Sequence, residues 1–374
     1  VHLDADWLKS AEVAWDDLLR DSAAHPIFLS WAWTATWAEM AEPGRAVRMV
    51  GLYEGNDLIA LLPSTVRGQS YLPYRRLEFI GQNGSGGDYL DLICRHGAAA
   101  RATEALVDWW ASARNRPWSY VALHGCRTDS LTASVAEHSR RTCEVQPWQS
   151  GLAPYLPIRT SWDEYFQSRF SSKKRHNLDR QLRLAKQRFD LDLQLYTRRE
   201  DVERLLPRVF DLHDLRRANL DGRSAFTGPR ARAFHLAAGS RLAQRGKVVI
   251  ATLENKRTPV AAAYCFRDPI RLSYFQTGYD PAFDPASPGT VLLMSLIKRA
   301  FEEGLQEFDF LNGDEPYKYT WTDDVRPLYG WRAFPHSVSG VVASRSLAAV
   351  RHLKGLAKRL KQAVDGVRAR STKP

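Results

Sequence analysis

The sequence predicts a mixed α/β (α+β) protein of two similar lobes, each a mixed, largely antiparallel sheet flanked by helices. Three observations carry this. Two β-rich runs, Val47 to Tyr53 and Leu58 to Val66, flank Glu54-Gly-Asn-Asp57, a composition suited to a tight hairpin turn. The same order returns later, where Val248 to Leu253 and Pro259 to Phe266 flank Glu254-Asn-Lys-Arg257. After each hairpin comes a helix and then a strand: Ala99 to Arg114 with Trp118 to Leu123, and Thr290 to Glu303 with Glu307 to Leu311. Residue identity between the halves is low, so the repeat is one of element order. The expected units are residues 1–155, residues 156–340 and a tail of residues 341–374.

Composition bounds the function. A chain of 374 residues with 44% hydrophobic and 11% aromatic content buries a large core and is not a disordered protein. Cys94, Cys126, Cys143 and Cys265 form no CxxC pair and no His spacing of a zinc site, so neither a disulfide framework nor a metal is expected. No basic-plus-apolar leader and no run of roughly 18 apolar residues is present, so the expected location is cytoplasmic, at most peripheral to the membrane. The net charge of +11 is concentrated in the tail. From Ser344 onward nine Lys/Arg face one acid, Asp365, leaving the body near neutral. The charge thus argues for a basic tail rather than a basic protein.

Taken in order, Asp4 to Leu19 reads as a helix. Ser30 then caps a second helix carrying Trp31, Trp33 and Trp37. Trp33 and Trp37 share a face, which either packs a lobe boundary or stacks a substrate, and Trp33 is the candidate for the latter. The strand Leu77 to Ile80 leads through a Gly-rich loop to Asp88-Tyr-Leu-Asp91. Between the lobes, Ser161 to Arg188 is helical and basic, with Lys173, Lys174, Arg175, Arg180, Arg183, Lys186 and Arg188 opposite Phe166, Phe170, Leu178 and Leu182. Such a face is either solvated or anchors a phosphate-bearing or tRNA-like ligand. Two further helices, Val202 to Asn219 with His213 and Arg217, and Ala231 to Arg245 with His235, read as structural. The segment Arg345 to Arg370 spaces Leu347, Val350, Leu353, Leu356, Leu360, Val364 and Val367 helically with cations opposite. It is a basic amphipathic helix, suited to an anionic membrane or to its own domain.

Candidates for chemistry cluster in the second lobe. Ser287-Pro-Gly-Thr290 opens a helix, with Ser287 as N-cap, Pro288 as first helical residue and the amides of Gly289 and Thr290 free. Such an end favours an anion. The strand before it closes on Gln276, Thr277 and Gly278, whose amides could border a thioester carbonyl, Gly278 permitting close approach. Asp309 is a carboxylate in an apolar strand, costly to bury unless hydrogen-bonded. Asp314, Tyr317 and Lys318 follow its end; Asp309 or Asp314 is the candidate base, Lys318 a partner for phosphate or carboxylate, and Tyr317 a substrate contact.

The blocks Gly278-Tyr-Asp-Pro-Ala-Phe283, Ser287-Pro-Gly-Thr-Val-Leu-Leu293 and Phe308-Asp-Phe-Leu-Asn-Gly-Asp-Glu-Pro-Tyr-Lys318 resemble GNAT-like acetyltransferases of the CelD/BcsL type, relatives of the FemABX peptidyltransferases. Phe28-Leu-Ser-Trp-Ala-Trp33, Asp88-Tyr-Leu-Asp91, Ser172-Lys-Lys-Arg-His-Asn177 and Phe234-His235 support the resemblance, while Asn312 stands where that pattern carries Arg. It implies two GNAT-type lobes, acetyl-CoA or another acyl-CoA as donor, and a small-molecule amine or sugar acceptor, often in exopolysaccharide production. Asp88, Arg175 and His176 are then expected to bind substrate at the inter-lobe cleft. Two alternatives stand beside this reading. One is a FemABX-type transfer from aminoacyl-tRNA; the other is a non-catalytic module binding membrane or polymer through the tail.

Overall fold

A computed structural model describes residues 1–41, 45–69, 72–82, 86–112, 117–217 and 226–350, with 352, 353 and 356. The first lobe opens with β1 (His2–Leu3), α1 (Ala5–Ser10), α2 (Glu12–Arg20) and α3 (Trp31–Glu39). Six strands follow: β2 (Arg45–Val47), β3 (Met49–Glu54), β4 (Asp57–Leu62), β5 (Ser64–Gln69), β6 (Leu72–Phe79) and β7 (Ile93–Cys94). Then come α4 (Ala99–Ala111), β8 (Tyr120–Arg127), α5 (Leu131–His138) and the long β9 (Cys143–Pro157). The second lobe begins with α6 (Trp162–Arg169), α7 (Ser172–Phe189), β10 (Leu191–Tyr196), α8 (Arg199–Arg217) and α9 (Gly228–Ala243). It continues with β11 (Val248–Asn255), β12 (Thr258–Arg267), β13 (Arg271–Tyr279), α10 (Pro288–Glu302), β14 (Glu307–Asp309) and β15 (Val325–Pro335).

Local chemistry explains where the sequence-predicted elements divide. The run Leu58 to Val66 breaks at Pro63, which has no N–H to donate, and β4 and β5 enter different sheets. The helix expected over Ser161 to Arg188 is two helices. Phe170 is extended (φ −118°, ψ 139°), and Ser171 restarts the chain by accepting the amide of Lys174. Ser161 begins α6 with a reciprocal capping box to Glu164.

Eleven strands form one sheet in the order β10-β11-β12-β13-β14-β9-β15-β8-β6-β5-β2, and β1-β3-β4-β7 form a second. Within the large sheet β13–β14 and β6–β8 are parallel. β9 joins the lobes, since residues 143–154 pair with β15 and residues 155–157 with β14. β15, the last strand of the second lobe in sequence, therefore lies between β9 and β8 of the first.

A shared aromatic core reinforces this. Phe28 and Trp33 of the first lobe meet Phe266 and Phe234 of the second edge to face, with centroids 5.5 and 4.9 Å apart. Trp33 is fully buried there, so it packs between the lobes and does not face a substrate. On the other sheet face, α10 and α7 bring Val291 and Leu178 into one buried cluster with Phe308 and Trp321. Residues 338–350 are helical and dock on the first lobe through Ala343 and Leu347, against Tyr120, Ala122 and Phe334. Most of the predicted tail helix beyond residue 350 lies outside the described residues.

Because both lobes contribute to one aromatic cluster, Trp33→Ala is expected to cost about 3–5 kcal/mol. Urea melts should show one cooperative transition at a lower midpoint. A second transition, with only one lobe affected, would contradict the shared core.

Candidate functional site: a wedge between two parting strands

β13 and β14 pair over three residues, Arg271↔Glu307, Leu272↔Phe308 and Ser273↔Asp309. Beyond them the strands separate. The chain after β14 turns to the edge of β9, where Phe310 N donates to Pro154 O (3.1 Å) and Gly313 N to Leu152 O (2.8 Å). β13 continues along β12 to Tyr279. A bulge sets which side chains enter the gap. Gln276 lies opposite Tyr264 and Tyr274 opposite Cys265, leaving Phe275 unmatched. The extra residue resets the alternation. Tyr274 and Thr277, three apart, thus both line the wedge, while Phe275 joins the aromatic core.

The N-terminus of α10 closes the wedge. Ser287 is in the left-handed region (φ 52°) and its side chain does not cap the helix; its Oγ instead accepts from Gln181 Nε2 at 3.1 Å. Pro288 has no N–H, and the amides of Gly289 and Thr290 have no partner among the described residues. The partial positive charge of a helix start is therefore open to a ligand. A cavity of about 340 Å³ lies here, lined by these residues together with Lys174, Arg216, Tyr274, Thr277, Tyr279, Tyr317 and Trp321. Arg216 lies 5.8 Å from the Tyr279 ring and 5.9 Å from that of Tyr317, and donates to Thr277 O at 3.4 Å.

Of the residues singled out from sequence, Thr277, Ser287, Gly289, Thr290 and Tyr317 converge on this cavity. Gln276 is half-buried on the same strand but does not line it. Gly278 serves a different contact: a Cβ there would stand 2.1 Å from His213 N, so it admits the backbone of α8 and not a ligand.

Asp309 is fully buried outside the cavity. Its Oδ1 accepts from Tyr89 Oη (2.9 Å) and Leu311 N (2.8 Å), and burial raises its pKa. Lys318 is buried as well, with Nζ donating to the carbonyls of Leu311 (3.2 Å), Asn312 (3.4 Å) and Gly313 (3.1 Å) and pairing with Glu315 at 2.9 Å. These bonds hold Leu311 in a left-handed conformation (φ 58°). Asp314 is exposed and accepts from Tyr319 Oη at 2.5 Å.

Arg175 donates to Gln167 O (2.9 Å) and Phe170 O (2.5 Å) at the end of α6, and His176 is exposed. Neither lines the cavity; their neighbour Lys174 does. Asp88 is half-buried where the first lobe meets the turn after β14, and its Oδ2 accepts from Asn312 N at 3.1 Å. Desolvation lifts its pKa to about 7, the neighbouring carboxylates of Asp309 and Glu315 adding to the rise against the pull of Asn312 N–H and Lys318.

Sequence reasoning passed over Arg216, Tyr274 and Tyr279. Arg216 follows His213 by three and shares its helix face, a signal that adjacent Arg217 obscured. The two tyrosines were hidden by the bulge, which no residue pattern announced.

Residues 172–319, the stretch from α7 through the turn after β14, match the acetyltransferase (GNAT) domain family. The second lobe carries an acyltransferase domain. All but Thr320 and Trp321 of the cavity lining lies within the matched stretch. No curated protein matches the chain in sequence. Among solved structures, FemX is similar at 11% identity and a TM-score of 0.59, over 85% of this chain and 95% of FemX. The C-terminal domain of a protein designated a lysylphosphatidylglycerol synthetase, from Agrobacterium fabrum, is similar at 10% identity and a TM-score of 0.54, over 91% and 96%. A protein of unknown function from Bacteroides thetaiotaomicron gives 8% identity and a TM-score of 0.54, over 87% and 97%. At these identities the likeness is one of fold, and it spans both lobes. Among the described residues no group of three or more His, Cys, Asp or Glu could hold a metal ion.

The raised pKa of Asp88 fixes the sign of a stability change. Below about pH 7 the folded state keeps its proton, while the unfolded state releases it near the ordinary carboxylate value of about 4. The unfolded state then binds fewer protons, so stability falls as pH rises from about 4 to 7 and levels above that. Asp88→Asn should flatten this slope in denaturant melts taken across the interval. Parallel curves for the two proteins would show that Asp88 titrates normally.

Proposed function

We propose that this protein transfers an acyl group, acetyl in the simplest case, from acyl-CoA to the amine of a small acceptor such as an amino sugar, an amino acid or a related metabolite. One observation carries the reading: two unpartnered helix-start amides, at Gly289 and Thr290, and two cations, Lys174 and Arg216, meet in one cavity beside a gap between sheet strands. In this reading the amides and cations hold the donor's pyrophosphate. The thioester arm extends into the wedge along Tyr274 and Thr277. The acceptor nitrogen attacks the thioester carbonyl carbon, the C–N bond forming as the C–S bond breaks and the sulfur leaving as CoA thiol.

Asp88 stands outside the cavity lining and, in this reading, braces the site without taking the proton. It sits against the turn that delivers Tyr317 to the cavity. Asp309 and Lys318 act by fixing that turn, without touching substrate. The CelD/BcsL-type resemblance favours an acceptor from polysaccharide assembly.

A second reading has a specific observation behind it. Lys173, Lys174, Arg180 and Arg183 of α7 are exposed, and Lys174 reaches the cavity. That face would suit an aminoacyl donor carried on RNA.

Thermal-shift assays with CoA, acetyl-CoA and longer acyl-CoAs test the first reading. One thioester should raise the melting temperature, since a ligand of the folded state stabilises by mass action. Arg216→Ala and Lys174→Ala should each weaken that donor by roughly tenfold, the loss of one charge-assisted hydrogen bond. No shift with any thioester, together with activity that ribonuclease abolishes, would select the RNA-borne donor.

A further inference from the structure

The helix that follows β15 has two faces, and only one is covered. Ala343 is fully buried and Ser344 nearly so, Ser344 donating to Glu144 at 2.8 Å; Leu347 packs beside them, and Ser346 lies 3.4 Å from the Tyr74 hydroxyl. On the other side Val338 is 83% exposed, Val342 42%, Leu353 64% and Leu356 42%. At about 100° per residue these four positions and Ala349 fall within an arc of about 60°, centred about 150° from Ser344 and Leu347. Of the apolar positions read from sequence, Leu347 therefore goes to the docking contact, while Leu353 and Leu356 are turned outward with Val338 and Val342.

The charge pattern indicates what covers it. Arg345 is exposed beside the stripe. In the sequence beyond, Leu360, Val364 and Val367 keep the helical spacing, and from Ser344 on nine cations accompany the single acid Asp365. Aliphatic side chains flanked by Lys and Arg match the interface of an anionic bilayer, where the chains enter the acyl boundary and the cations meet lipid phosphates. A second copy of this chain would bring the same excess of positive charge against itself. No helix among the described residues is long and apolar enough to cross a membrane, so the contact is lateral.

We infer that the C-terminal helix seats this protein on an anionic lipid surface, with Val338, Val342, Leu353 and Leu356 facing the bilayer. The inference is independent of the identity of the acyl donor.

The test is flotation of the full chain with vesicles of phosphatidylglycerol and phosphatidylcholine, beside vesicles of phosphatidylcholine alone. Binding should need the anionic lipid and fall steeply as salt is raised, since each cation near such a surface contributes roughly fivefold. The triple variant V342E/L353E/L356E should bind roughly tenfold or more weakly. These side chains are exposed, so its melting temperature should match that of the parent. Arg345→Glu, which leaves the stripe intact, should weaken flotation by a smaller factor. Absence of flotation with anionic vesicles would overturn the inference, as would equal binding by the triple variant. Light scattering that shows an oligomer dispersed by the triple variant, with flotation unchanged, would overturn it in favour of self-association.

Discussion

Everything at the candidate site depends on two strands that stop pairing. β13 and β14 hold together for three residues, and the next residues of each are claimed by other neighbours, β12 on one side and β9 on the other. A gap in a sheet leaves polar backbone without a ladder, so it persists only where other bonds fix both banks. Here Asp309 holds the amide of Leu311, Asp88 the amide of Asn312, and the Lys318 ammonium gathers three carbonyls of the same turn. Leu311 pays about 1–2 kcal/mol for a left-handed backbone. The buried charges around it offset that cost by giving each strained peptide a partner.

The first lobe takes part in the same constraint. It contributes Asp88 and Tyr89 to the turn and, through β9, the edge that draws the chain away from β13. One sheet runs through both lobes, and Phe28 and Trp33 interlock with Phe234 and Phe266, so the frame resists relative movement of the two halves. Such a frame is what a preorganised site requires. The repeat of element order gives the second lobe the matched acyltransferase stretch. The first lobe, whose corresponding strand runs Leu123-His-Gly125 without an Asp-Glu-Pro-Tyr-Lys continuation, braces the turn that stretch depends on.

Much of this was legible in residue order. Hairpins, the 3.6-residue pattern of α10, the Pro-Gly helix start and the polar turn after β14 follow from local rules, because turn chemistry and periodicity act over a few neighbours. Sequence alone thus determined two lobes of mixed α/β type and a helix that begins at Pro288-Gly-Thr290. The tertiary structure decided which groups face one another. Asp309 and Lys318 read as reactive because charged residues in apolar surroundings are expensive, and in the fold that expense is met by backbone partners. Gly278 reads as ligand access and proves to be helix access, since the long-range neighbour His213 is what approaches it. Arg216, Tyr274 and Tyr279 enter the cavity through a bulge and a helix crossing, both set by contacts distant in sequence. Asp88 and Asn312, 224 positions apart, meet because β9 and β15 weave the lobes into one sheet; register across such distances is fixed by packing, which no local pattern records.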